Sequence, residues 1–462
     1  MDEKNNSNKF YNIIWRWHFY AGLFVIPFLL ILATTGMAMM FLAYFDGRDG
    51  ENIKVSVPTN PITLSLKEQS SKTLLDYPNS KLIELITAVE NDRANVFRIK
   101  LEDTSNKLIA INPYNGDIID SWQRRSGWYD LVDSIHSDLL LGTTGDRILE
   151  ITAGFSFILI ISGFYLWWPR NKGINFAFIP NLSLKGRAFW MELHKIIGLY
   201  ISIFFVLFLL SGMSWTGIWG GKIVQAWSTF PAEKWKNVPL SDKTHLSLTN
   251  GSAQGMPWAI EQTKLPISGS NIGTEGVLKN EIIDIDSIVR LATRLGFEQR
   301  YRISFPQEET SVWTINQDTM DGDADNPFAD KTVHIDRYTG KVLAKVTFDD
   351  YSIAGKTMAV SIPLHMGLVT VWNLIINTLI CLFLIVLCIS GIILWWKRRP
   401  KGSGFKLSAP TAPTYLAHFK GAMLVTLALS LFFPLVGLTL ITVLVLDIFI
   451  FSKIGFIKKF LN

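Results

Sequence analysis

Cysteine is nearly absent from this sequence. The chain has 462 residues and two cysteines, Cys381 and Cys388, which stand seven residues apart in an apolar run. That spacing is about 10 Å along a helix, too far for a disulfide, so we predict two small buried apolar residues. No CxxCH motif occurs, which excludes covalent attachment of a c-type haem. No GxGxxG nucleotide-binding loop follows a predicted strand.

Charge is also scarce. Charged residues make up 18% of the chain and hydrophobic residues 49%, with 16 Trp and 30 Phe, which is too apolar for an ordinary soluble protein of this length. Charge-free runs long enough to cross ~30 Å of hydrocarbon predict a membrane protein in the lipid bilayer. There are five such runs: Trp17–Phe45, Ile151–Pro169, Ile196–Gly221, Thr357–Trp396 and Gly421–Leu446.

The distribution of Lys and Arg predicts the orientation. The N-terminus and the short loops after the second and fourth runs are basic and are expected in the cytoplasm. The first run then reads as a retained signal-anchor in the plasma (inner) membrane. The formal net charge of +5 comes mostly from these loops, so nucleic acid is not an expected partner.

These assignments divide the chain into six segments. The last run has Pro434 near its middle and Lys453, Lys458 and Lys459 after it, so it is either one kinked helix or a hairpin. We favour the hairpin, which gives six spans. The predicted segments are 1–45 (cytoplasmic N-terminus and first span), 46–145 (first extracytoplasmic domain), 146–221 (second and third spans with a basic cytoplasmic loop), 222–356 (second extracytoplasmic domain), 357–400 (fourth span) and 401–462 (cytoplasmic loop and C-terminal helix or hairpin).

The two halves of the chain share an order of landmarks. "INPYNGDII" matches "IDRYTGKVL", "IHSDLLLG" matches "LHMGLVTV", and "ISGFYLWWPR" matches "ISGIILWWKR". The first and third runs match as well, through "WHFYAGL" with "LHKIIGL" and "TTGM" with "LSGM". The sequence therefore predicts a duplicated helical bundle with two equivalent sites or one shared site.

Histidines and glycines recur at fixed spacing in these helices. Glycine follows His18 and His194 by four and by eighteen residues, and eighteen residues are five turns, about 27 Å, ending on the same helix face. The second and fourth runs show the converse order, with a histidine before the span on its outer side and a glycine near its cytoplasmic end. The residues concerned are Gly22, Gly36, Gly198 and Gly212 in the first set and His136, Gly163, His365 and Gly391 in the second.

This arrangement predicts two bis-histidine haem sites, one at each membrane face. His18 and His194 would form the cytoplasmic pair, and His136 and His365 the outer pair, because neutral imidazole is a favoured ligand of haem iron. The glycines would let a flat macrocycle approach the backbone. A single interfacial histidine is more often a polar anchor, and glycines alone indicate close helix packing. The matched positions favour ligands, with His418 as a spare candidate.

Other polar and aromatic residues have simpler interpretations. Arg16, Arg187, Lys195 and Arg147 fit positive-inside and snorkelling behaviour, and pairing with haem propionates is the alternative. His245 and His334 are predicted surface residues. The acidic stretch Asp321, Asp323 and Asp325 resembles a calcium loop without its final Glu, so we predict a solvated loop. Five tryptophans after the third run form an interfacial belt or line a cleft: Trp215, Trp219, Trp227, Trp235 and Trp258.

Each long connection reads as a helix on a small antiparallel sheet. In the first, residues 80–90 show helical periodicity and are followed by three alternating segments, with an Asn-Gly turn at 115–116. In the second, "IDSIVRLATRLG" predicts a helix before four alternating segments. The predicted fold is an α-helical membrane protein, a duplicated bundle of four core helices plus a C-terminal helix or hairpin, with two small extracytoplasmic α+β domains.

The motifs quoted above resemble those of the PepSY-associated transmembrane proteins, the group of iron-uptake factors and ferric-siderophore reductases. The resemblance covers most of residues 10–400, and the tail beyond residue 410 exceeds the four-helix core. It implies two PepSY domains, two b-type haems, and His18, His136, His194 and His365 as axial ligands. No flavodoxin or nicotinamide-binding segment of the kind fused to some relatives is present.

The resemblance implies a haem-dependent oxidoreductase that carries electrons across the membrane to a ferric siderophore in the periplasm. A six-coordinate haem has no open position, which suits electron transfer rather than oxygen chemistry. The electron donor would be a separate cytoplasmic protein or a quinol. Two alternatives remain: a non-enzymatic PepSY regulator or sensor in which the histidines only anchor helix ends, and a siderophore permease.

Overall fold

The computed structural model describes residues 2–170, 178–235, 237–249, 256–400, 407 and 420–449. The chain divides into two compact units. The helical unit contains Met1–Met37, Ser134–Val224 and Ile376–Asn462, and the sheet unit contains Ala38–Asp133 and Gln225–Ile375. The α-helices are α1 Asp2–Asp46, α2 Leu66–Asp76, α3 Trp128–Asp138, α4 Thr143–Trp167, α5 Gly186–Met213, α6 Ile285–Arg294, α7 Ile353–Met366, α8 Val371–Arg398, α9 Lys420–Phe432 and α10 Pro434–Phe449.

Four helices in the described part of the chain are long and apolar enough to cross a membrane: α1, α4, α5 and α8. They correspond to the first four predicted runs. The fourth run was predicted as one stretch from Thr357, but the structure divides it into α7 and α8. Gly367 ends α7 with a φ of 74°, and its N–H donates to the carbonyls at the end of that helix. Left-handed glycine is the common way to terminate a helix, which explains the break.

The fifth run also breaks, at the boundary between α9 and α10. A Cβ on Gly437 would lie 2.8 Å from Cβ of Ser430, whereas residues seven apart in one continuous helix are about 10 Å apart. The chain therefore turns back at Pro434 instead of continuing as one helix, and the number of spans in this region stays a prediction. The described parts of these two helices have 13 and 16 residues, fewer than the ~20 residues of a full span. The turn packs on α4, where Phe433 stacks on Phe157 with ring centroids 4.8 Å apart.

The long connections do not form two separate small sheets. They join in one eight-stranded antiparallel sheet with strand order β10-β9-β8-β7-β1-β2-β3-β4. The junction is the pair β1 and β7, where Leu85 is opposite Ile303. A two-stranded sheet, β5 with β6, is separate. The strands are β1 Lys81–Ile86, β2 Asn95–Lys100, β3 Asn106–Ile111, β4 Ile118–Gln123, β5 Leu240–Thr244, β6 Lys264–Pro266, β7 Arg302–Ser304, β8 Trp313–Gln317, β9 Lys331–Ile335 and β10 Val342–Thr347.

The helix predicted at residues 80–90 is wrong, because residues 81–86 form β1. The helix that precedes β1 is α2, which begins at a capping box in which Ser65 and Glu68 exchange hydrogen bonds. Such a box satisfies backbone N–H groups at a helix start. The segment KLIELI fits both the helical period and the strand period because it is short and mostly apolar. Helix α6, strands β7 to β10 and the turn at Asn115–Gly116 agree with the predictions.

The core of the sheet unit lies between the sheet and its helices. Ile288 and Leu291 of α6 pack with Phe97, Ile303 and Ile315 of the sheet, all nearly inaccessible to solvent. Each such side chain contributes about 1.5–3 kcal/mol through burial. A second cluster contains one of the five tryptophans, Trp235, and its other members include Phe230, Met256, Ile260, Leu343 and Val346.

The tryptophans after α5 do not form a single belt or cleft. Trp235 and Trp258 are buried, with 6% and 4% exposure, whereas Trp215 and Trp227 are exposed. The indole N–H of Trp258 donates to Oε1 of Gln225. Trp219 faces Phe432, with ring centroids 6.2 Å apart. Two of the five therefore stabilise the core of the sheet unit.

The predicted solvated acidic loop is wrong for two of its three residues. Asp321 and Asp323 are 3% and 1% exposed, and only Asp325 of the three is exposed. Arg302 donates to Asp323 and to Asp49, and Arg48 donates to Asp321. Buried carboxylates require such partners because an unpaired charge is costly away from water. The arginines lie far from this stretch in sequence, which is why the stretch alone predicted solvent exposure.

Candidate functional site

The predicted cytoplasmic histidine pair is close together in the helical unit. His18 of α1 and His194 of α5 have ring centroids 6.3 Å apart and ring planes at 84°. Both side chains are half-buried. Imidazole nitrogens lie about 2.0–2.1 Å from the metals they bind, so two rings in line on one metal ion have centroids about 6.3 Å apart. The observed centroid separation matches this value.

A serine on a neighbouring helix fixes each of these rings. Nδ1 of His18 lies 2.9 Å from Oγ of Ser162 in α4, and Nδ1 of His194 lies 2.8 Å from Oγ of Ser390 in α8. Each serine hydroxyl donates its own proton to a carbonyl of its own helix. Backbone carbonyls of Leu159 and Leu387 also accept from these two rings. A carbonyl can only accept, so Nδ1 carries the proton and this tautomer leaves Nε2 unprotonated. An unprotonated Nε2 is the form of histidine that binds a metal.

Glycines lie against the same rings. A Cβ on Gly163 would be 3.4 Å from Cε1 of His18, and one on Gly391 would be 3.6 Å from Cε1 of His194. The sequence predicted that these glycines let a flat macrocycle approach the helix backbone. In the structure they leave room for the imidazole itself, next to the serine that holds it.

His136 in α3 has the same surroundings. Its Nδ1 lies 2.9 Å from Oγ1 of Thr35 in α1, and Thr35 donates to the carbonyl of Ile31 at 2.7 Å. A Cβ on Gly36, the next residue, would lie 3.1 Å from Cε1 of His136. Three histidines are thus each held by a hydroxyl residue and by the glycine that follows it.

The remaining predicted site residues have other positions. Positions 22 and 198 make ordinary contacts, because a Cβ there would lie 3.8 Å from Leu159 and 3.6 Å from Leu387. Gly212 is in α5. His365 is in α7, in the sheet unit, and His418 lies outside the described residues.

The predicted cationic partners of the site lie near aromatic or acidic side chains. The guanidinium of Arg16 is 5.1 Å from the ring of Tyr20. Arg147 pairs with Asp146 and lies 3.9 Å from Glu150. Lys195 pairs with Glu192 at 2.8 Å. Ion pairs within one helix are consistent with the simpler interpretation of Arg147 and Lys195 as ordinary membrane-edge residues.

A metal ion held by protein ligands alone is not indicated. Among the described residues, no group of three or more His, Cys, Asp or Glu side chains is placed to hold one. A haem supplies four nitrogen ligands itself and needs only one or two axial side chains. The donor set of the pair His18 and His194, two imidazoles with hydroxyl partners at Nδ1, fits the two axial ligands of a haem.

A second histidine pair was missed from the sequence. His245 and His334, predicted at the surface, are both 0% exposed and lie in contact, Nε2 to Nε2 at 2.8 Å. The prediction of surface positions is wrong because the sheet unit encloses both rings. The two free cysteines, in contrast, are buried in α8 as predicted.

The hydroxyl partners Thr35, Ser162 and Ser390 were also missed. The signal was in the sequence, since a Ser or Thr precedes the repeated glycine in "TTG", "ISG", "LSG" and "ISG". The glycines alone do not reveal this pattern, because the hydroxyl residue before each of them is part of it.

The four apolar helices and the antiparallel sheet unit define a helical membrane protein that carries a folded β-sheet portion. Within that class, the chain belongs to the PepSY-associated TM region family, which it matches over residues 15–398. Comparison with curated proteins finds no match.

Proposed function

We propose that this protein transfers electrons across the membrane through two b-type haems and reduces a ferric siderophore on the extracytoplasmic face, for iron uptake. The observation that carries the proposal is the pair His18 and His194. Their ring separation of 6.3 Å and the hydrogen bonds at both Nδ1 atoms suit two ligands of one haem iron. Electron-transfer haems with two histidines have no open position.

The chain's own residues hold the group and set its surroundings. When bound, a haem supplies an iron that changes between the ferric and ferrous states. His18 and His194 would hold the iron through Nε2, while Ser162 and Ser390 hold the rings in the required tautomer. The half-buried position of the rings among apolar helices lowers the local dielectric and limits access of water.

A second haem is proposed at the outer membrane face. His136 presents the same arrangement of hydroxyl and glycine as the inner pair. His365 enters the proposal through the sequence repeat alone, in which "LHMGL" matches "IHSDL". Duplication of an ancestral half-bundle explains both the repeat and the recurrence of the hydroxyl–glycine contacts.

The substrate reaction balances with one electron. Ferric iron is held by hard oxygen donors, and the larger, less charged ferrous ion is held more weakly. One electron from a separate cytoplasmic protein or a quinol converts ferric to ferrous iron, and the chelate then releases it. On this proposal the sheet unit lies in the periplasm and the N-terminus in the cytoplasm.

A regulator without a cofactor and a siderophore permease are the alternatives. Both leave the paired Nδ1 hydrogen bonds without a role beyond packing. Protein purified from haem-replete cells tests the difference. We expect a reduced b-type spectrum with two haems per chain, and a colourless folded protein would contradict the proposal.

Two further measurements sharpen the test. His194→Ala should remove one of the two haems, whereas Cys388→Ala, a change at another buried position of the helical unit, should keep both. Vesicles with a reductant inside and a ferric chelate plus a ferrous-specific dye outside should develop colour with the wild-type protein. His194→Ala should abolish that colour, and equal colour from both proteins would exclude the conduit.

A further inference from the structure

We infer that the dipeptides Thr35–Gly36, Ser162–Gly163 and Ser390–Gly391 are positioning elements that set the donor strength of the histidine each one holds. This inference rests on the proposed function and adds residues that act through the ligands. The hydroxyl accepts Nδ1–H, and the glycine leaves space for the ring edge beside it. The two residues together fix the tautomer, the rotation and the basicity of the imidazole.

The direction of each hydrogen bond follows from proton counting. A Ser or Thr hydroxyl has one proton and two acceptor lone pairs. Oγ1 of Thr35 donates to the carbonyl of Ile31, and Oγ of Ser390 donates to that of Leu387, both at 2.7 Å. Ser162 donates in the same way to the carbonyl of Ile158. A hydroxyl that donates its proton to this carbonyl accepts from Nδ1–H of the histidine. The carbonyls of Leu32, Leu159 and Leu387, three residues before each hydroxyl, are the other acceptors of the same rings.

Back-bonding to a preceding turn is common for Ser and Thr in apolar helices, so it does not by itself mark a positioning residue. Ser156 of α4 shows the ordinary case: it is fully buried and donates to the carbonyl of Thr152 at 2.8 Å. Phe157 follows it instead of glycine. The positioning dipeptides differ by the Nδ1 contact and by the glycine against Cε1 of the same ring.

The glycine is required by distance. The Cβ positions at Gly36, Gly163 and Gly391 would lie 3.1, 3.4 and 3.6 Å from the imidazole Cε1 atoms. The first two are at or below the lower edge of ordinary carbon contacts. A methyl group at Gly36 would push the His136 ring away from Thr35, so hydroxyl and glycine act as one unit.

The hydrogen bond has an electronic consequence. An acceptor on Nδ1–H increases the basicity of Nε2 and strengthens its bond to a metal, and loss of such outer partners costs about 10–100-fold in metal affinity. A more basic axial ligand stabilises ferric iron over ferrous iron. Removing the acceptor should therefore weaken haem retention and raise the reduction potential of that haem.

The experiment compares four variants of the full-length holoprotein: Ser162→Ala, Ser390→Ala, Ser162→Thr and the matched control Ser156→Ala. The readouts are haem content, haem dissociation to apomyoglobin, potentiometric midpoint and the electron paramagnetic resonance spectrum of the ferric protein. For both alanine variants at histidine-linked positions we expect about 10–100-fold weaker retention of one haem, with a higher midpoint. Ser162→Thr keeps the hydroxyl and should retain the wild-type midpoint, as should Ser156→Ala.

The outcomes separate this inference from the proposed function. Wild-type protein without haem contradicts the function. The positioning role alone is contradicted if the wild-type protein holds two haems and both alanine variants, Ser162→Ala and Ser390→Ala, keep the wild-type haem retention and midpoint. A purely structural role would lower the folded yield of these variants without moving the midpoint. If Ser162→Ala does not fold, Ser390→Ala on α8 decides.

Discussion

Nε2 of His245 lies 2.8 Å from Nε2 of His334 inside the sheet unit, and two neutral rings satisfy this contact in only one arrangement of protons. Nδ1 of His245 faces the carbonyl of Thr263 at 2.7 Å and must donate to it. His334 then donates from Nε2 and accepts from the hydroxyl of Thr314 at its Nδ1. Both rings are neutral, which is consistent with burial lowering the pKa of His245 to about 4 and that of His334 well below its ordinary value.

His334→Leu should destabilise the protein by about 1–3 kcal/mol, because the buried His245 and Thr314 each lose a hydrogen-bond partner. Thermal unfolding followed by tryptophan fluorescence measures the effect. Haem content of the folded fraction should stay at the wild-type value, since this pair lies outside the helical unit. Loss of haem from folded His334→Leu protein would show that the pair serves the cofactor site.

The same pair predicts a loss of stability in acid. The pKa of His245 is lowered by burial to about 4, below the value of about 6.5 in unfolded chains. The unfolded state therefore binds more protons between these pH values, and stability falls as pH decreases from about 6.5 towards 4. Unfolding midpoints across this range check the slope, and His334→Leu should flatten it. A steeper slope in the variant would contradict the assignment.

Asp330 predicts a change of the opposite sign. Burial raises its pKa to about 7, despite hydrogen bonds from Thr319. The raised pKa of Asp330 contributes to the stability of the folded protein. This contribution is present in full below the unfolded pKa of about 3.9 and is lost as pH rises towards 7. Asp330→Asn keeps an oxygen that can accept from Thr319. Its free energy of unfolding at pH 8 should therefore exceed that of the wild type by at least about 1 kcal/mol, measured by chemical unfolding. Equal stability at pH 8 would contradict the prediction.

Arg302 should be among the costliest charges to remove. It is 1% exposed and pairs with Asp49 and Asp323, so Arg302→Ala leaves the buried Asp323 and the partly buried Asp49 without this partner. We expect a loss of about 3–5 kcal/mol. Lys264→Ala is the control, because its pair with Asp242 is exposed and is worth about 0–1 kcal/mol. Chemical unfolding of both variants gives the comparison, and similar losses would exclude a special role for burial.

Gly36→Ala should displace the ring of His136, which lies against Gly36. The added methyl would lie 3.1 Å from Cε1 of His136, whereas at Gly22 of the same helix it would lie 3.8 Å from a leucine side chain. If His136 is a ligand, Gly36→Ala lowers retention of one haem and Gly22→Ala does not. Haem per folded protein is the measurement, and equal retention would indicate that the His136 ring moves without cost.

The local patterns of the sequence predicted the parts that depend on composition and period. The apolar runs predicted α1, α4, α5 and α8 because length and hydropathy alone decide whether a helix can cross a bilayer. Pro434 predicted the break of the last run, since proline removes a backbone donor. The spacing of His18 and His194 within their runs identified the residues that the fold brings within 6.3 Å.

Other features arise only from contacts between distant segments. Whether residues 81–86 form a strand depends on their pairing with β2 and β7, not on their own periodicity. The two halves share one sheet because the edges of β1 and β7 pair, and unpaired edge groups find partners wherever the fold brings them.

Burial of polar groups is the clearest case of tertiary control. Asp321, Asp323, His245 and His334 look like surface residues in the sequence because each is polar and locally unremarkable. They can be buried because residues from remote segments form hydrogen bonds with them. Arg302 donates to Asp323, and the carbonyl of Thr263 accepts from His245. The sequence by itself determined which segments are apolar enough for the membrane and which histidines recur. Only the tertiary structure decided which polar side chains meet. A hydrogen bond or ion pair needs two partners, and the local sequence pattern contains only one of them.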